Sequence, residues 1–205
     1  MSKTTITNCF NSGKISVSAG TAGGIAGACM EGTSTINCCY NSGEIVSGGN
    51  GIAGTLYITS GDSADVHVEK CYNSGDLNGG VGISNGSITR NCYNSGDGAY
   101  YGISNSSDFY FVPTIQYCYN IGTLSGDEAC AITYYSDSNI DHCYFLDNKE
   151  YATHDGALFA NTSKLSIDQM KDQTSFSGFD FDTVWEMGKS DYPYPVFKAI
   201  YEDLP

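Results

Sequence analysis

Short apolar stations, each a few residues long, recur along this chain between runs of Asn, Ser and Gly. The most regular is a Cys-aromatic-Asn-Ser-Gly block at 9–13, 39–43, 71–75 and 92–96, weakened at 118–122 and decayed at 143–147. Its anchors, Cys9, Cys39, Cys71, Cys92, Cys118 and Cys143, are spaced 30, 32, 21, 26 and 25 residues apart. Three residues before the anchor stands an aliphatic, Ile6, Ile36, Val68, Ile115 or Ile140; in the fourth copy it slips by one, to Ile88. A second aliphatic comes two positions after the repeat glycine: Ile15, Ile45, Leu77 and Leu124. A third station is a Gly-Ile step at Gly24-Ile25, Gly51-Ile52, Gly82-Ile83 and Gly102-Ile103, with Ala131-Ile132 as the fifth.

No station is long enough for a helix, and β-branched and aromatic residues are common in them. The Asn and Gly between them mark turns, because Gly takes positive φ and Asn bonds its own backbone. Three short strands in a unit of this length predict an all-β, parallel β-solenoid, a right-handed β-helix of about six irregular coils. One coil cannot bury its own apolar face, whereas stacked coils can. At about 4.8 Å per coil the rod is roughly 30 Å long. The longest insertions, 55–66 and 105–113, are loops. From about residue 165 the pattern changes. Ser166-Ile167-Asp168-Gln169 reads as a capping box opening a short helix near 167–173. Phe176, Phe179, Phe181, Trp185 and Tyr192-Pro193-Tyr194-Pro195 come next. The expected division is therefore a repeat solenoid over 1–160 and a helix-plus-aromatic cap over 161–205 that covers the last coil's open edge. The first coil begins almost at residue 1 without such a cap, so further solenoid coils are expected N-terminal to it in a parent protein.

Composition narrows the function classes. Charged residues make up 16% of the 205, and 23 acidic against 9 basic side chains give a formal net charge of -14. Arg90 is the one arginine. Nucleic-acid binding and a polybasic membrane-surface helix both need a Lys/Arg face that this chain lacks. No run of 18 apolar residues occurs, so membrane insertion by a helix is not expected.

The pattern Ile-x-x-Cys-Tyr-Asn-Ser-Gly, with Gly-Gly-Ile-Ala-Gly at 23–27 and part of it at 51–54, resembles the GLUG repeat. The run from Gln169-Met170-Lys171 through Phe179–Trp185 to Tyr192-Pro193-Tyr194 is similar to the ending of such arrays. The resemblance spans about residues 4–200. GLUG repeats occur in large surface and adhesin-like proteins of gut and oral bacteria, and precede the catalytic part of immunoglobulin-A1-cleaving metallopeptidases. The resemblance thus implies a cell-surface or secreted protein, with no catalytic residue to carry over. The later copies depart from the pattern: Ser84-Asn85 and Ser104-Asn105 replace Ala-Gly, and the last copy lacks its Asn and Gly.

Several side-chain groups are candidates for chemistry. The six column cysteines are expected to be buried thiols, small hydrophobes in a core. The next residue on each strand, Phe10, Tyr40, Tyr72, Tyr93, Tyr119 or Tyr144, should point the other way, giving an exposed aromatic ladder on which sugars could stack, although a ladder that simply stabilises the parallel strands is the simpler reading. A second aromatic cluster, Tyr100, Tyr101, Phe109, Tyr110, Phe111, Tyr134 and Tyr135, falls in loops and is the favoured contact patch. Glu44, Asp76 and Asp97 stand just after the repeat glycine in consecutive copies; at about 5 Å spacing a calcium ion could bridge them, or they could mimic a glycosidase pair. Three solvated carboxylates beside a turn is the simpler reading. Gly82-Ile83-Ser84-Asn85-Gly86 matches the nucleophile-elbow expression, yet falls on a repeat station rather than a strand–turn–helix. His67, His142 and His154 form no HExxH. The expected role is a non-catalytic adhesin segment or stalk without a required cofactor, contacting host glycans or glycoproteins. The alternatives are a carbohydrate-active lyase or glycoside hydrolase on a β-helix, and a pure spacer.

Overall fold

The computed structural model describes residues 3–18, 21–29, 32–46, 48–56, 64–105 and 112–198. The fold is all-β and dominated by parallel sheets. Six strands, Lys3–Thr7, Gly32–Asn37, Ala64–Glu69, Ile88–Arg90, Thr114–Gln116 and Asn139–Asp141, form one parallel sheet in chain order. A second parallel sheet holds Phe10–Asn11, Tyr40–Asn41, Tyr72–Asn73, Tyr93–Asn94, Tyr119–Asn120, Tyr144–Leu146 and Ser163–Leu165. Each of the six repeat units therefore lends one strand to each sheet. The other two stations pair the same way: Ile15–Ser16 with Ile45–Val46, and Ala26–Cys29 with Ala53–Leu56. Single bridges continue them through Ile45 to Leu77, Ala53 to Ser84 and Ser84 to Ser104. This arrangement is consistent with a β-helix.

Register obeys the repeat, since a one-residue slip would turn every inward side chain outward. Ile6, Ile36 and Val68 lie side by side, as do Thr89, Ile115 and Ile140. The fourth copy does not slip. Thr89, not Ile88, stands opposite Val68 and is buried. Its hydroxyl lies 3.3 Å from the Ser84 hydroxyl, so one buried polar group satisfies the other. Behind this column sit Cys39, Cys71, Cys92, Cys118 and Cys143 with Ile52, Ile83, Ile103 and Ile132, all buried in one continuous core.

The corner between the two sheets is a residue in left-handed conformation immediately before each anchor cysteine: Asn8, Cys38, Lys70, Asn91, Tyr117 and His142, with φ of 48–55°. Such backbone costs a side-chain-bearing residue about 1–2 kcal/mol. The anchor thiol stabilises the turn. Cys39, Cys71 and Cys118 each donate S–H to the carbonyl two residues back, at 3.2 Å. A cysteine at this position is thus both an apolar filler and a weak donor for a carbonyl at the corner.

The C-terminal part differs from the expected helical cap. Ser166 and Gln169 do form the reciprocal bonds of a capping box, but the box opens two 3-10 turns, Gln169–Lys171 and Gln173–Ser175, instead of a helix. Asp172 between them is extended (φ -111°, ψ 115°), which stops helical propagation. Ser163–Leu165 extends the second sheet beyond Tyr144–Leu146. The chain then turns back along the outside of that sheet and ends in an antiparallel pair, Trp185–Met187 with Pro195–Phe197.

Candidate ligand-binding surfaces

Stacking places the aromatic residue of each unit over the next. The rings of Phe10, Tyr40, Tyr72, Tyr93 and Tyr119 succeed one another at centroid distances of 4.8–5.3 Å, within 9° of parallel. They do not form the exposed strip that strand alternation suggests. Tyr72, Tyr93, Tyr119 and Tyr144 are buried, because the returning C-terminal segment lies on them. Trp185 packs against Tyr93 and Tyr119, Phe197 against Tyr93, and Phe176 and Phe179 against Tyr144. The phenols find partners there: Tyr119 donates to Pro195 O at 2.5 Å and Tyr144 to Ser177 O at 2.9 Å. Burial pushes the Tyr144 phenol up from its ordinary value, with Cys143 and Asp141 adding to the effect. Phe10, 51% exposed, and Tyr40, half-buried, remain open.

Inside the same sheet runs a column of asparagines whose sequence pattern reads only as turn punctuation. Asn11, Asn41, Asn73 and Asn94 each donate from Nδ2 to the Oδ1 of the next asparagine, at 2.7–2.8 Å, ending at Asn120. Each also bonds the glycine carbonyl two residues on. Asn41, Asn73, Asn94 and Asn120 are buried. This packing requires glycine at the Gly-Ile step. A Cβ on Gly51 would sit 2.0 Å from Gly82 O and 2.6 Å from Asn73 Cβ.

The loop aromatics are brought together in part. Tyr101 meets Tyr134 edge-on at 5.8 Å, Tyr134 meets Tyr135 at 5.1 Å, and His154 stacks on Tyr134 at 4.6 Å. Tyr100, 48% exposed, is flanked by Gly79 and Gly126. With Tyr101, Ser125, Asp127 and Glu128 it lines a shallow groove of about 460 Å³. Burial raises the Tyr101 phenol above its ordinary value, and Cys130, Tyr134 and Glu128 add to it. Sequence reasoning did not assign the acidic lining or His154 to this patch; their station in the fifth and sixth units carries no repeat signature. Phe109, Tyr110 and Phe111 lie outside the described residues.

The three carboxylates are otherwise engaged. Glu44 pairs with Lys14 at 2.9 Å, while Asp76 accepts the amide of Asp97, and Asp97 that of Thr123. No group of three or more His, Cys, Asp and Glu gathers among the described residues. Ser84 is buried beside Thr89 and accepts the Gly86 amide. His67 lies 2.9 Å from Asp65, and His142 stacks on Tyr117. Cys39, Cys71, Cys92, Cys118, Cys130 and Cys143 are buried free thiols, and Cys9 is an exposed one.

Together these features define an all-β protein of stacked parallel strands with buried amide and aromatic ladders and an aromatic, acidic groove at one side. No family model matches the chain, and no curated protein matches it. Among solved structures, one from Bacteroides ovatus described as a putative immunoglobulin A1 protease aligns over 92% of this chain and 74% of its own. The identity is 15% and the TM-score 0.45.

Proposed function

We propose that the chain winds as a right-handed β-solenoid of about six GLUG-like coils and serves as a non-catalytic adhesin segment of a bacterial surface protein. Its C-terminal segment straps the tyrosine face, and its Tyr100–Tyr101 groove contacts glycans. The observation that carries the reading is the groove itself: exposed Tyr100 and half-buried Tyr101 beside Asp127 and Glu128, on a body held by in-register ladders. An aromatic ring offers an apolar face to the C–H side of a sugar, and carboxylates accept hydrogen bonds from its hydroxyls. A rigid scaffold holds both in place. The acidic lining and the net charge of -14 disfavour sialylated and sulfated sugars, so the ligand is a neutral glycan.

The test is a glycan-array and mucin-binding screen of the chain, with and without calcium. Binding to neutral glycans that falls about five- to thirtyfold in Tyr100→Ala, the range expected when an aromatic contact of about 1–2 kcal/mol is lost, supports the reading. A blank array in both conditions leaves the chain as a spacer. Turnover of a bound polysaccharide would instead favour the enzyme.

A further inference from the structure

We propose that the glycan surface continues past the groove, from Tyr101 onto Tyr134 and His154, and takes a run of several neutral sugar units rather than a single terminal sugar. The proposal rests on the glycan reading of the groove and adds the length of its ligand. Tyr100, Tyr101, Tyr134 and Tyr135 belong to none of the three buried clusters formed by the described residues. Their ring contacts are made outside the core. Tyr101 lines the groove and also meets Tyr134 edge-on at 5.8 Å, so groove and cluster share a wall. Tyr135 crosses Tyr134 at 5.1 Å and 69°, and His154 lies on Tyr134 at 4.6 Å and 13°.

The backbone sets out this row. The Ser104 amide donates to Ile132 O and the Thr133 amide to Ala152 O, which keeps the third stations of successive units in register. Tyr134 follows Thr133, and the His154 amide donates to Tyr134 O at 3.3 Å, so the two rings are carried one above the other. The tyrosine ladder of the second sheet is stacked in the same way but lies under the C-terminal segment, whereas this stack ends in an exposed imidazole. Aromatic surface left outside a core marks a contact site. Ring-to-ring steps of 5.8 and 4.6 Å are comparable with the length of one sugar unit. Successive units can therefore each meet a ring with their C–H side. A neutral imidazole adds one N–H donor and one acceptor nitrogen for sugar hydroxyls. Rings held by packing on one another lose little freedom on binding, so each further unit adds affinity.

The test is isothermal titration of the chain with neutral oligosaccharides, from monomer to tetramer, in the glucose, mannose, galactose and N-acetylglucosamine series. The proposal expects affinity to rise about tenfold or more from monomer to tetramer in a series that binds. Tyr134→Ala should cost the tetramer about fivefold more than it costs the monomer. His154→Ala, which trims an exposed side chain, is the second variant and should lose part of the same gain. Tyr100→Ala should weaken every length alike. Circular dichroism checks that each variant is folded. Monomer and tetramer bound equally, or a length gain untouched in both Tyr134→Ala and His154→Ala, overturns the proposal and leaves the groove reading standing. No binding at any length in any series overturns both.

Discussion

At the scale of single residues, the repeat is a set of local bargains between backbone and side chain. The corner before each anchor cysteine is left-handed, and three of its six occupants, Cys38, Lys70 and Tyr117, are residues that take this conformation reluctantly. Lys70→Asn should therefore raise stability by about 1 kcal/mol. A urea midpoint that rises without a change in slope supports this, and one that stays or falls refutes the corner's energetic role. The asparagine ladder behaves differently because it is buried. Asn94→Ala removes the acceptor of Asn73 and the donor to Asn120 at once, and should cost about 2–4 kcal/mol. Asn11→Ala, at the more open end, should cost about 1 kcal/mol or less. Equal losses at both positions would mean that the ladder's burial does not matter. The Cys and Ile columns were readable from spacing alone, because an apolar residue at fixed intervals has few other uses. The asparagine ladder is not legible in the sequence: Asn is a common turn residue, and only stacking reveals that its amide reaches the next unit. The Thr89 substitution was hidden for a related reason. Ile88 looks like the apolar member, and only the Ser84 hydroxyl makes threonine acceptable inside.

At the scale of elements, the C-terminal segment is the part that sequence reasoning placed least well. Its capping box and its aromatic content were visible, whereas its destination was not. Trp185 lies against rings 66 and 92 residues earlier in the chain, Tyr119 and Tyr93, and no local pattern encodes that distance. Burying an aromatic ladder stabilises both partners, each ring pair adding about 0.5–1.5 kcal/mol beyond its area. Trp185→Ala should cost about 3–5 kcal/mol within the segment. Limited proteolysis should then cut after residue 165 while 64–105 and 112–146 stay protected; cleavage spread over both parts would show that they fold as one unit. Acid should loosen the same region. Asp172 and Asp180 are lowered by hydrogen bonds from Thr174 and Thr183, and Asp141 by Asn161 first and His142 next. Because their folded values are depressed, their contribution is present above the unfolded value of about 3.9 and is lost as pH falls through the folded ones. Trp185 fluorescence should accordingly change below about pH 4 and stay flat from pH 5 to 7. A transition centred near pH 6 would contradict the carboxylate account.

At the scale of the whole molecule, the same unit repeated in register explains why so acidic a chain with few charges can build a continuous core. It also explains where the groove lies. Tyr100, Tyr101 and the 125–129 turn belong to consecutive units, whose pairing of Tyr101 with Cys130 brings an aromatic pair beside two carboxylates. The glycan reading is a consequence of this stacking and fails if the units do not stack as described. The most direct test is an NMR nuclear Overhauser experiment on selectively labelled asparagine amides and tyrosine rings. The account predicts cross-peaks linking Asn41 to Asn73, Asn73 to Asn94 and Asn94 to Asn120, and matching ring contacts from Tyr40 through Tyr119. Asparagine amides that show only contacts within their own unit, or that meet in another order, would contradict it.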